Sequence, residues 1–317
     1  WRRSCPVGFG GSAGVIWTTG RCCGAPPWLD LTSEAARKTV LPIVERKKPA
    51  VLGGFIGRTV DGATTTLGRN GSDYSAAIVA AAVGASEVQI WTDVDGLLTC
   101  DPRFVPSARV IDHLSHEEAA ELASFGAKLH PRTLEPAIEA GIPVRVLNTH
   151  NPASPGTLIT REGTDRARGP RSVARKRNVT VVHMTSNKML GAHGFLAKLF
   201  HVFEELKISV DLIATSEVSV SVTVDEQHDL DELKTRLTGV ADVEVIDGQC
   251  IIAIVGRNLL ADSMVGARVF EAMRGVPMQM LSLGRSGLNL SIVIDDADSD
   301  LAIQRIHAAL FEQAVAV

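Results

Sequence analysis

The sequence predicts an α/β domain with a mainly parallel sheet, followed by a duplicated α+β module. Over residues 31–163, apolar strand-like runs alternate with helical periodicity, an order that is typical of layered α/β folds. Beyond the basic stretch 164–177, short β-branched strands alternate with amphipathic helices. There the order strand, helix, strand, strand, helix recurs with a period of about 70 residues, which indicates a duplication.

The elements of the first region follow from its apolar periodicity and its turn residues. Helices are predicted at 33–46, 72–83, 117–127 and 134–140, and strands at 50–56, 87–91, 143–147 and 156–160. Residues 1–30 are rich in Gly, Cys, Arg and Trp, show neither period, and do not begin with Met. We interpret them as an unassigned, rearranged or fragmentary terminus.

The second region divides into two modules joined to the first by a linker at 164–177. The first module, 178–248, has predicted strands at 179–182, 208–213, 218–224 and 243–246 and helices at 195–206 and 230–237. The second, 249–317, has predicted strands at 251–255, 278–283 and 290–294 and helices at 264–273 and 301–311. It lacks a final strand, which the chain would supply if one module were threaded through the other.

Composition limits the function classes. The net charge is −4 and the pI about 6.2, so neither nucleic acid nor a membrane surface is a predicted partner. No apolar run approaches the roughly 20 residues that span a bilayer, and no signal peptide is evident, so a cytoplasmic location is expected. The 5 cysteines are scattered along the sequence, a pattern that predicts reduced thiols. The histidines lack paired ligand spacing, and no metal site is predicted.

A segment rich in glycine and hydroxyl groups directly precedes the helix at 72–83. It reads Thr-Thr-Thr-Leu-Gly-Arg-Asn-Gly-Ser-Asp over residues 64–73. Glycine permits close backbone approach, a helix N-terminus favours anions, and an arginine can bind a carboxylate through two hydrogen bonds. The segment therefore suits a phosphate or carboxylate ligand. The alternative is a capped helix that follows a surface loop.

Five motifs occur in the order seen in aspartate kinases, and the chain from about residue 53 resembles that family. They are Gly54-Phe55-Ile56-Gly57, residues 64–73, Trp91-Thr92-Asp93-Val94-Asp95-Gly96, Asp101-Pro102-Arg103 and Phe125-Gly126-Ala127-Lys128. The resemblance implies part of an amino acid kinase domain, a three-layer αβα fold, followed by two ferredoxin-like βαββαβ ACT domains. It also implies ATP-dependent phosphorylation of L-aspartate to 4-phospho-L-aspartate, the first step of lysine, threonine and methionine biosynthesis.

The resemblance assigns roles to individual residues. Arg69 and Ser72 would contact aspartate, and Asp73 would lie close to the reacting phosphate together with Lys128. The residues that would hold ATP, with Mg²⁺ bound to its phosphates, are Thr92, Asp93, Leu98, Arg103 and Lys128.

The opening of the chain departs from the family pattern. Aspartate kinases usually begin with a strand and Lys-Phe-Gly-Gly-Thr-Ser, whereas residues 7–12 here place Gly8 where the lysine belongs. Asn70 replaces a commoner glycine, and one residue is missing after Lys128. The N-terminal part of the kinase domain is therefore expected to be missing, and we hypothesise that the chain is weakly active or inactive because such preorganised charge stabilises transition states.

The second region resembles the ACT domains of lysine-sensitive aspartate kinases in residues 188–190, 194–197 and 208–217. The resemblance implies L-lysine as effector and a homodimer through these domains, with the second module pairing rather than binding effector. The implied lysine contacts are Met189, Gly194, Ser209, Val210, Asp211, Thr215, Ser216 and Glu217. Asp211 and Glu217 can pair with ammonium groups.

Two functions therefore compete. The first is a lysine-inhibited aspartate kinase. The alternative is a catalytically impaired pseudokinase or a lysine-binding regulatory subunit, which the missing catalytic lysine favours. The glycines at 8–14 do not predict a dinucleotide-dependent dehydrogenase, since no predicted strand precedes them.

Overall fold

The computed structural model describes residues 8–10, 14–20, 24–68, 70–125, 131–163, 169–225, 230–259 and 261–312. The chain forms two compact units. Unit 1 comprises Trp1–Leu98 and Val110–Ala167, and unit 2 comprises Thr99–Arg109 and Arg168–Val317. Within the described ranges, no helix has the length and apolar character needed to cross a membrane.

Unit 1 alternates strands and helices. Its helices are α1 (Leu29–Thr39), α2 (Leu41–Glu45), α3 (Gly71–Val83), α4 (His116–Ser124) and α5 (Pro131–Glu139). Its strands are β1 (Gly8–Gly10), β2 (Ala50–Leu52), β3 (Ile56–Arg58), β4 (Thr64–Thr66), β5 (Val88–Thr92), β6 (His113–Ser115), β7 (Val144–Asn148) and β8 (Thr157–Thr160).

Parallel pairing dominates unit 1, as the sequence predicts. The largest sheet has the order β5-β7-β8-β6, in which β5 is parallel to β7 and β6 is parallel to β8. Only the central pair, β7 with β8, is antiparallel. Strands β1 and β2 form a separate parallel pair, and β3 and β4 form an antiparallel hairpin. Helix α3 packs against α1, α5 and β5, so the sheet and helices lie in layers.

Two predicted elements of unit 1 are divided in the structure. The helix predicted over 33–46 begins earlier and breaks at Val40, because Pro42 lies in the first turn of α2 and a proline is tolerated there but not in a helix interior. The strand predicted over 50–56 is split into β2 and β3 by a turn at Gly53–Phe55. Phe55 has a φ of 73°, which is incompatible with a continuous strand.

Unit 2 contains one six-stranded antiparallel sheet and four α-helices in its described part. The strands are β9 (Gly169–Thr185), β10 (Val210–Thr215), β11 (Ser219–Asp225), β12 (Asp242–Arg257), β13 (Met280–Leu283) and β14 (Asn289–Asp295). The helices are α6 (Phe195–Glu205), α7 (Leu230–Leu237), α8 (Ser263–Ala272) and α9 (Ser299–His307).

The two modules share their central strands. The sheet order is β10-β11-β9-β12-β14-β13. The second half of β9 pairs with β11 and with Asp242–Ile246 of β12, whereas its first half pairs with Ile251–Arg257. Residues 169–176 thus supply the strand that the second module lacks in sequence order, and the modules are interleaved.

Residues 169–177, expected to lie in a linker, therefore belong to a strand. Their basic character suggested a solvated connection, but each of three successive cations has an acidic partner. Arg175 pairs with Asp300, Lys176 with Asp211 and Asp225, and Arg177 with Asp296. Residues of this stretch pair with Ile251–Arg257 of β12, so it folds as part of the sheet.

Each module has its own apolar core. The first is formed under α6 and α7 by side chains such as Leu199, Phe203 and Leu233. The second lies under α8 and α9 and includes Cys100 and Val105, which come from the excursion Thr99–Arg109. Val173 donates its backbone N–H to Thr99 O at 2.8 Å, which continues this attachment. The excursion is thus built into unit 2, although unit 1 flanks it on both sides in sequence.

Candidate functional site

The turn after β2 packs directly against the start of α3. A Cβ atom added to Gly54 would lie 3.2 Å from Ser72 Cα, and one added to Gly71 would lie 2.8 Å from Phe55 Cδ2. Any larger residue at either position would push the two segments apart. Glycine at position 54 thus allows close approach of the Ser72 backbone, whereas a side chain at position 71 would meet Phe55 Cδ2 and Leu67 Cβ.

Hydrogen bonds fix this contact. The backbone N–H of Phe55 donates to Ser75 Oγ at 2.9 Å, and Ser75 Oγ donates to Gly71 O at 2.7 Å. Leu67 donates its N–H to Phe55 O at 2.9 Å. The left-handed conformation of Phe55 is held by these bonds, and such strained backbone is concentrated at functional sites. Ser75 was not among the residues that the sequence singled out, although it lies one helical turn after Gly71.

Asn70 precedes α3 in the left-handed conformation, with a φ of 55°. Asparagine tolerates that region better than other residues with a side chain, so the sequence departure from glycine preserves the turn. Its side chain forms no capping hydrogen bond to the helix. Because the Asn70 side chain does not cap α3, the positive dipole end of the helix can favour an anionic ligand.

The predicted substrate contact Ser72 and the predicted catalytic residue Asp73 lie on this first turn. Ser72 is exposed, and Asp73 is half-buried. Burial raises the pKa of the Asp73 carboxyl above its ordinary value, since removal from water disfavours the charged form. A cation beside Asp73 would offset that cost. Arg69, the predicted partner in aspartate binding, lies outside the described residues, as does Lys128.

The turn after β5 is tied to the turn after β7. Thr92 Oγ1 donates to Asp93 Oδ1 at 3.0 Å, and the carbonyl of Thr92 accepts from the N–H of Thr149 at 2.8 Å. Because β5 and β7 are parallel, their carboxyl ends lie at one edge of the sheet. Ligands of open α/β sheets bind outside the carboxyl ends of the strands. The resemblance to aspartate kinases predicts that Thr92 and Asp93 contact the adenosine there.

Two asparagines complete this turn and were missed by sequence reasoning. Asp95 Oδ1 accepts from Asn148 Nδ2 at 2.6 Å and from Asn151 Nδ2 at 3.1 Å. The signal was the run Asn-Thr-His-Asn-Pro after β7, a composition that marks turns stabilised by side chains. Asp95 thus organises the loop on which Thr92 and Asp93 lie.

The other two predicted nucleotide contacts, Leu98 and Arg103, belong to different units. Leu98 is half-buried and forms an isolated bridge with Val110. Arg103 belongs to unit 2, where its Nη2 donates to Asp101 Oδ2 at 2.6 Å and its Nε donates to the same carboxylate. The Arg103 side chain remains 80% exposed. It is therefore accessible to a ligand that competes with Asp101.

The predicted effector residues fall into two groups within one chain. Thr215, Ser216 and Glu217 are exposed at the end of β10. The loop that carries Met189 and Gly194 lies beside them, because Ser186 donates its N–H to Val218 O at 2.9 Å. Ser216 Oγ lies 2.7 Å from Ser219 Oγ and closes the turn.

The second group lies at the opposite end of β10. Ser209 and Asp211 are exposed there, and Val210 is half-buried. The Asp211 carboxylate accepts from Lys176 Nζ at 2.6 Å. Since a strand rises about 3.3 Å per residue, Asp211 and Thr215 lie on one face but about 13 Å apart. The structure thus does not bring all predicted effector contacts together in one chain.

Among the residues that the structure describes, no three His, Cys, Asp or Glu side chains are grouped so that they could hold a metal ion. Two of the histidines instead bond to neighbouring side chains. His113 Nε2 lies 2.8 Å from Thr160 Oγ1, and His183 Nδ1 lies 2.8 Å from Ser221 Oγ.

Comparison with known families assigns both units. Residues 21–148 match the amino acid kinase family, and residues 182–231 and 252–310 match the ACT domain. The ACT match covers parts of both interleaved modules, and the amino acid kinase match includes both turns described above.

Comparison with individual proteins agrees with these family matches. The chain is 42% identical over 295 residues to aspartokinase 3, chloroplastic, of Arabidopsis thaliana, covering 89% of this chain and 51% of that protein. It is 40% identical over 307 residues to lysine-sensitive aspartokinase 3 of Escherichia coli, covering 94% of this chain and 68% of that protein. The chain thus spans about half the length of the first of these relatives and about two thirds of the second.

Solved structures of Escherichia coli aspartokinase III resemble the chain over nearly its whole length. The complex with aspartate and ADP has a TM-score of 0.84 at 38% identity, covering 97% of this chain and 70% of the other. The complex with lysine and aspartate has a TM-score of 0.80 at 39% identity, covering 96% and 69%. Shared sequence, shared fold and the retained order of motifs together show that this chain belongs to the aspartokinase family.

Proposed function

We propose that this chain carries the nucleotide-side and aspartate-side part of an aspartokinase that is inhibited by L-lysine. In the reaction, a side-chain carboxylate oxygen of L-aspartate attacks the γ-phosphorus of ATP. The bond from that phosphorus to the β,γ-bridging oxygen breaks, and 4-phospho-L-aspartate and ADP form. The observation that supports this most strongly is the packing of the Gly54 turn onto the first turn of α3, which presents Ser72 and Asp73 together at a helix N-terminus.

The residues of α3 suit this transfer. Phosphoryl transfer depends on positioning and charge stabilisation rather than on covalent chemistry by the protein. The positive dipole end of α3 at its N-terminus favours a phosphate or carboxylate, and the Ser72 hydroxyl can donate a hydrogen bond to the same group. Arg69 would bind the α-carboxylate of aspartate.

Magnesium enters as part of the ATP substrate. Asp73 fits a role beside it because its half-buried carboxylate has a raised pKa and gains stability from a neighbouring cation. Mg²⁺ bound to the ATP phosphates would supply charge neutralisation at the transferred group. Thr92 and Asp93, on the turn organised by Asp95, would contact the adenosine of that nucleotide.

Effector binding is proposed for the ACT modules. The relative from Escherichia coli is lysine-sensitive, and a structure of the aspartokinase III of that organism holds lysine. Two copies of the chain are proposed to associate along β10, an edge strand in which Ile213 is 47% exposed. An antiparallel arrangement of two β10 strands would bring Asp211 of one copy towards the Thr215 end of the other, which joins the two separated groups of effector residues.

The product gives the sharpest test of the reaction. An acyl phosphate reacts with hydroxylamine, so the purified chain with Mg-ATP and L-aspartate should yield aspartyl hydroxamate identifiable by mass spectrometry. Ser72→Ala should lower the yield at least about tenfold if Ser72 contacts the substrate, since lost transition-state contacts cost at least about 1.4 kcal/mol.

Ser124→Ala is the matched control. Ser124 lies on α4, and its hydroxyl bonds only to the helix backbone at Ala120 O among the described contacts. It should leave the hydroxamate yield unchanged. If Ser124→Ala and Ser72→Ala lower the yield equally, the placement of the substrate at α3 is wrong. ATP-dependent hydroxamate from another amino acid, but not from aspartate, would contradict the proposed substrate.

A further inference from the structure

Lys176 lies where β9 passes from the second module to the first. Its Nζ is 2.6 Å from Asp211 Oδ2 and 2.8 Å from Asp225 Oδ1. The next residues include Asn178, whose φ of 57° marks the change of direction in the strand. Lys176 is therefore held at a fixed point of the interleaved sheet, between strands that belong to different modules.

The alternation of the strand directs Lys176 towards the first module. Successive side chains of a strand point to opposite faces. Arg175 and Arg177 pair with Asp300, at the start of α9, and with Asp296, in the turn just before α9, both in the second module. Lys176, between them, points the other way to β10 and β11. The direction of the strand backbone therefore determines which carboxylates Lys176 contacts.

The two carboxylates meet because β10 and β11 are antiparallel. Asp211 lies next to Val210 at the start of β10, and Asp225 follows Val224 at the end of β11, and these two valines are paired in the register. One ammonium between two carboxylates leaves a formal charge of about −1 on the cluster at neutral pH.

The ammonium form of Lys176 is stabilised in this position. Burial alone would lower its pKa, but hydrogen bonds and the charges of Asp211 and Asp225 outweigh burial and raise the pKa above its ordinary value. The Lys176 side chain is 24% exposed and that of Asp211 is 25% exposed, so water screens this pair only in part. The cluster is therefore occupied by a charged primary amine.

A primary ammonium is also the group that an effector lysine presents. We propose that Lys176 occupies Asp211 as an internal competitor of the effector ammonium, and so sets the affinity of the chain for lysine. The proposal rests on the proposed lysine site, to which Asp211 belongs. An effector must either displace Lys176 from Asp211 or share the carboxylate with it.

Removal of the internal ammonium should then tighten effector binding. Lys176→Met keeps an unbranched apolar stem but leaves Asp211 and Asp225 without their cation, so the formal charge of the cluster becomes about −2. We expect the Kd for L-lysine, measured by calorimetry on the full chain, to fall about three- to tenfold, as expected for one partly exposed ion pair. The Kd of the variant should also depend more steeply on salt concentration.

Two further variants separate the proposal from a general charge effect. Lys234→Met removes the same charge from α7, outside the Asp211 cluster, and should leave the Kd within about twofold of wild type. Lys176→Arg retains a cation whose planar fork binds carboxylates through two bonds, so it should not tighten lysine binding. Circular dichroism on each variant confirms that the fold is retained, and Lys176→Arg provides the test if Lys176→Met does not fold.

The outcomes are distinct. Tighter binding in Lys176→Met alone supports the proposal, including the case in which wild type binds too weakly to measure. An unchanged or higher Kd in Lys176→Met, or tighter binding in Lys176→Arg, overturns it while leaving the lysine site itself established. If no variant and no wild-type chain binds lysine, the proposed effector site fails and the competitor role fails with it.

Discussion

The guanidinium carbon of Arg175 lies 3.7 Å from the centre of the Phe104 ring, a cation–π distance. Arg175 is nearly buried and also donates from Nη1 to Ser299 Oγ at 3.1 Å. The carbonyl of Phe104 accepts from Gln304 Nε2 at 3.1 Å. The residue that follows Arg103 is thus anchored to β9 and α9 of the second ACT module, so the position of a proposed nucleotide contact is set within the regulatory unit.

Removal of the Phe104 ring tests this anchor. Phe104→Ala deletes packing against the core of the second module together with the contact to Arg175. We expect the free energy of unfolding, measured by urea denaturation, to fall by about 2–3 kcal/mol. The matched control is Phe270→Ala on α8, because Phe270 is 45% exposed. A loss of unfolding free energy in Phe270→Ala as large as that in Phe104→Ala would contradict the anchoring role of Phe104.

The interleaving of the modules depends on a close contact between β9 and β12. A Cβ atom on Gly256 would lie 2.2 Å from Gly169 O, within backbone that cannot move without breaking the pairing. Gly256→Ala should therefore lower the free energy of unfolding by at least about 2 kcal/mol. Gly266→Ala, in α8 with no atom within 4 Å of its added Cβ, should be neutral or stabilise by up to about 1 kcal/mol. Equal effects of the two substitutions in thermal unfolding would argue against the shared strand.

A buried histidine predicts loss of stability in mild acid. His307 Nε2 lies 3.0 Å from Thr99 Oγ1 and its Nδ1 lies 3.1 Å from Glu312 Oε1, with Arg109 also facing it. Burial lowers the pKa of His307 below its ordinary value of 6.5, although Glu312 opposes the shift.

The direction of the pH effect follows from that shift. The unfolded chain takes up the His307 proton near its ordinary pKa, whereas the folded chain does so only at lower pH. The contribution of neutral His307 is therefore complete above the ordinary pKa of 6.5 and is lost as the pH falls from there through the folded pKa. We expect urea midpoints to fall more between pH 7.5 and pH 5.5 for wild type than for His307→Gln. Parallel falls in both proteins would exclude His307 as the cause.

Local pattern was sufficient for elements whose boundaries depend on nearby residues. Helix α7 begins and ends where amphipathic periodicity predicts, and α3 differs from its predicted start by one residue. Segment 64–73 does lead into a helix, as predicted, but Thr64–Thr66 within it form strand β4. In each case the signal, namely a cap, a glycine or an apolar stripe, lies within one or two turns of the element.

Elements determined by distant partners were not predictable from the sequence. Residues 169–177 look like a solvated linker because their cations have no acidic partner nearby in sequence. Asp296 and Asp300 supply two of those partners more than one hundred residues later. Likewise, nothing local to Asp101–Val105 shows that Val105 is buried with residues of the second ACT module. Such pairing is a tertiary property that periodicity does not encode.

The candidate site was predicted in part. Sequence motifs located the turn after β5, but the bonds from Asn148 and Asn151 to Asp95 depend on the parallel pairing of β5 with β7. Resemblance placed Asp211 at an effector site, whereas its ion pair with Lys176 arises only through the bend of β9. The contacts made by Arg69 and Lys128 stay predictions.

Aspartate-dependent ADP release by the purified chain, measured with Mg-ATP in a coupled assay with and without L-lysine, tests the central claim most directly. We predict slow turnover that requires aspartate, falls when Asp73 is replaced by Asn, and is suppressed by millimolar lysine. ADP release that is indifferent to both aspartate and lysine would contradict a lysine-regulated aspartokinase.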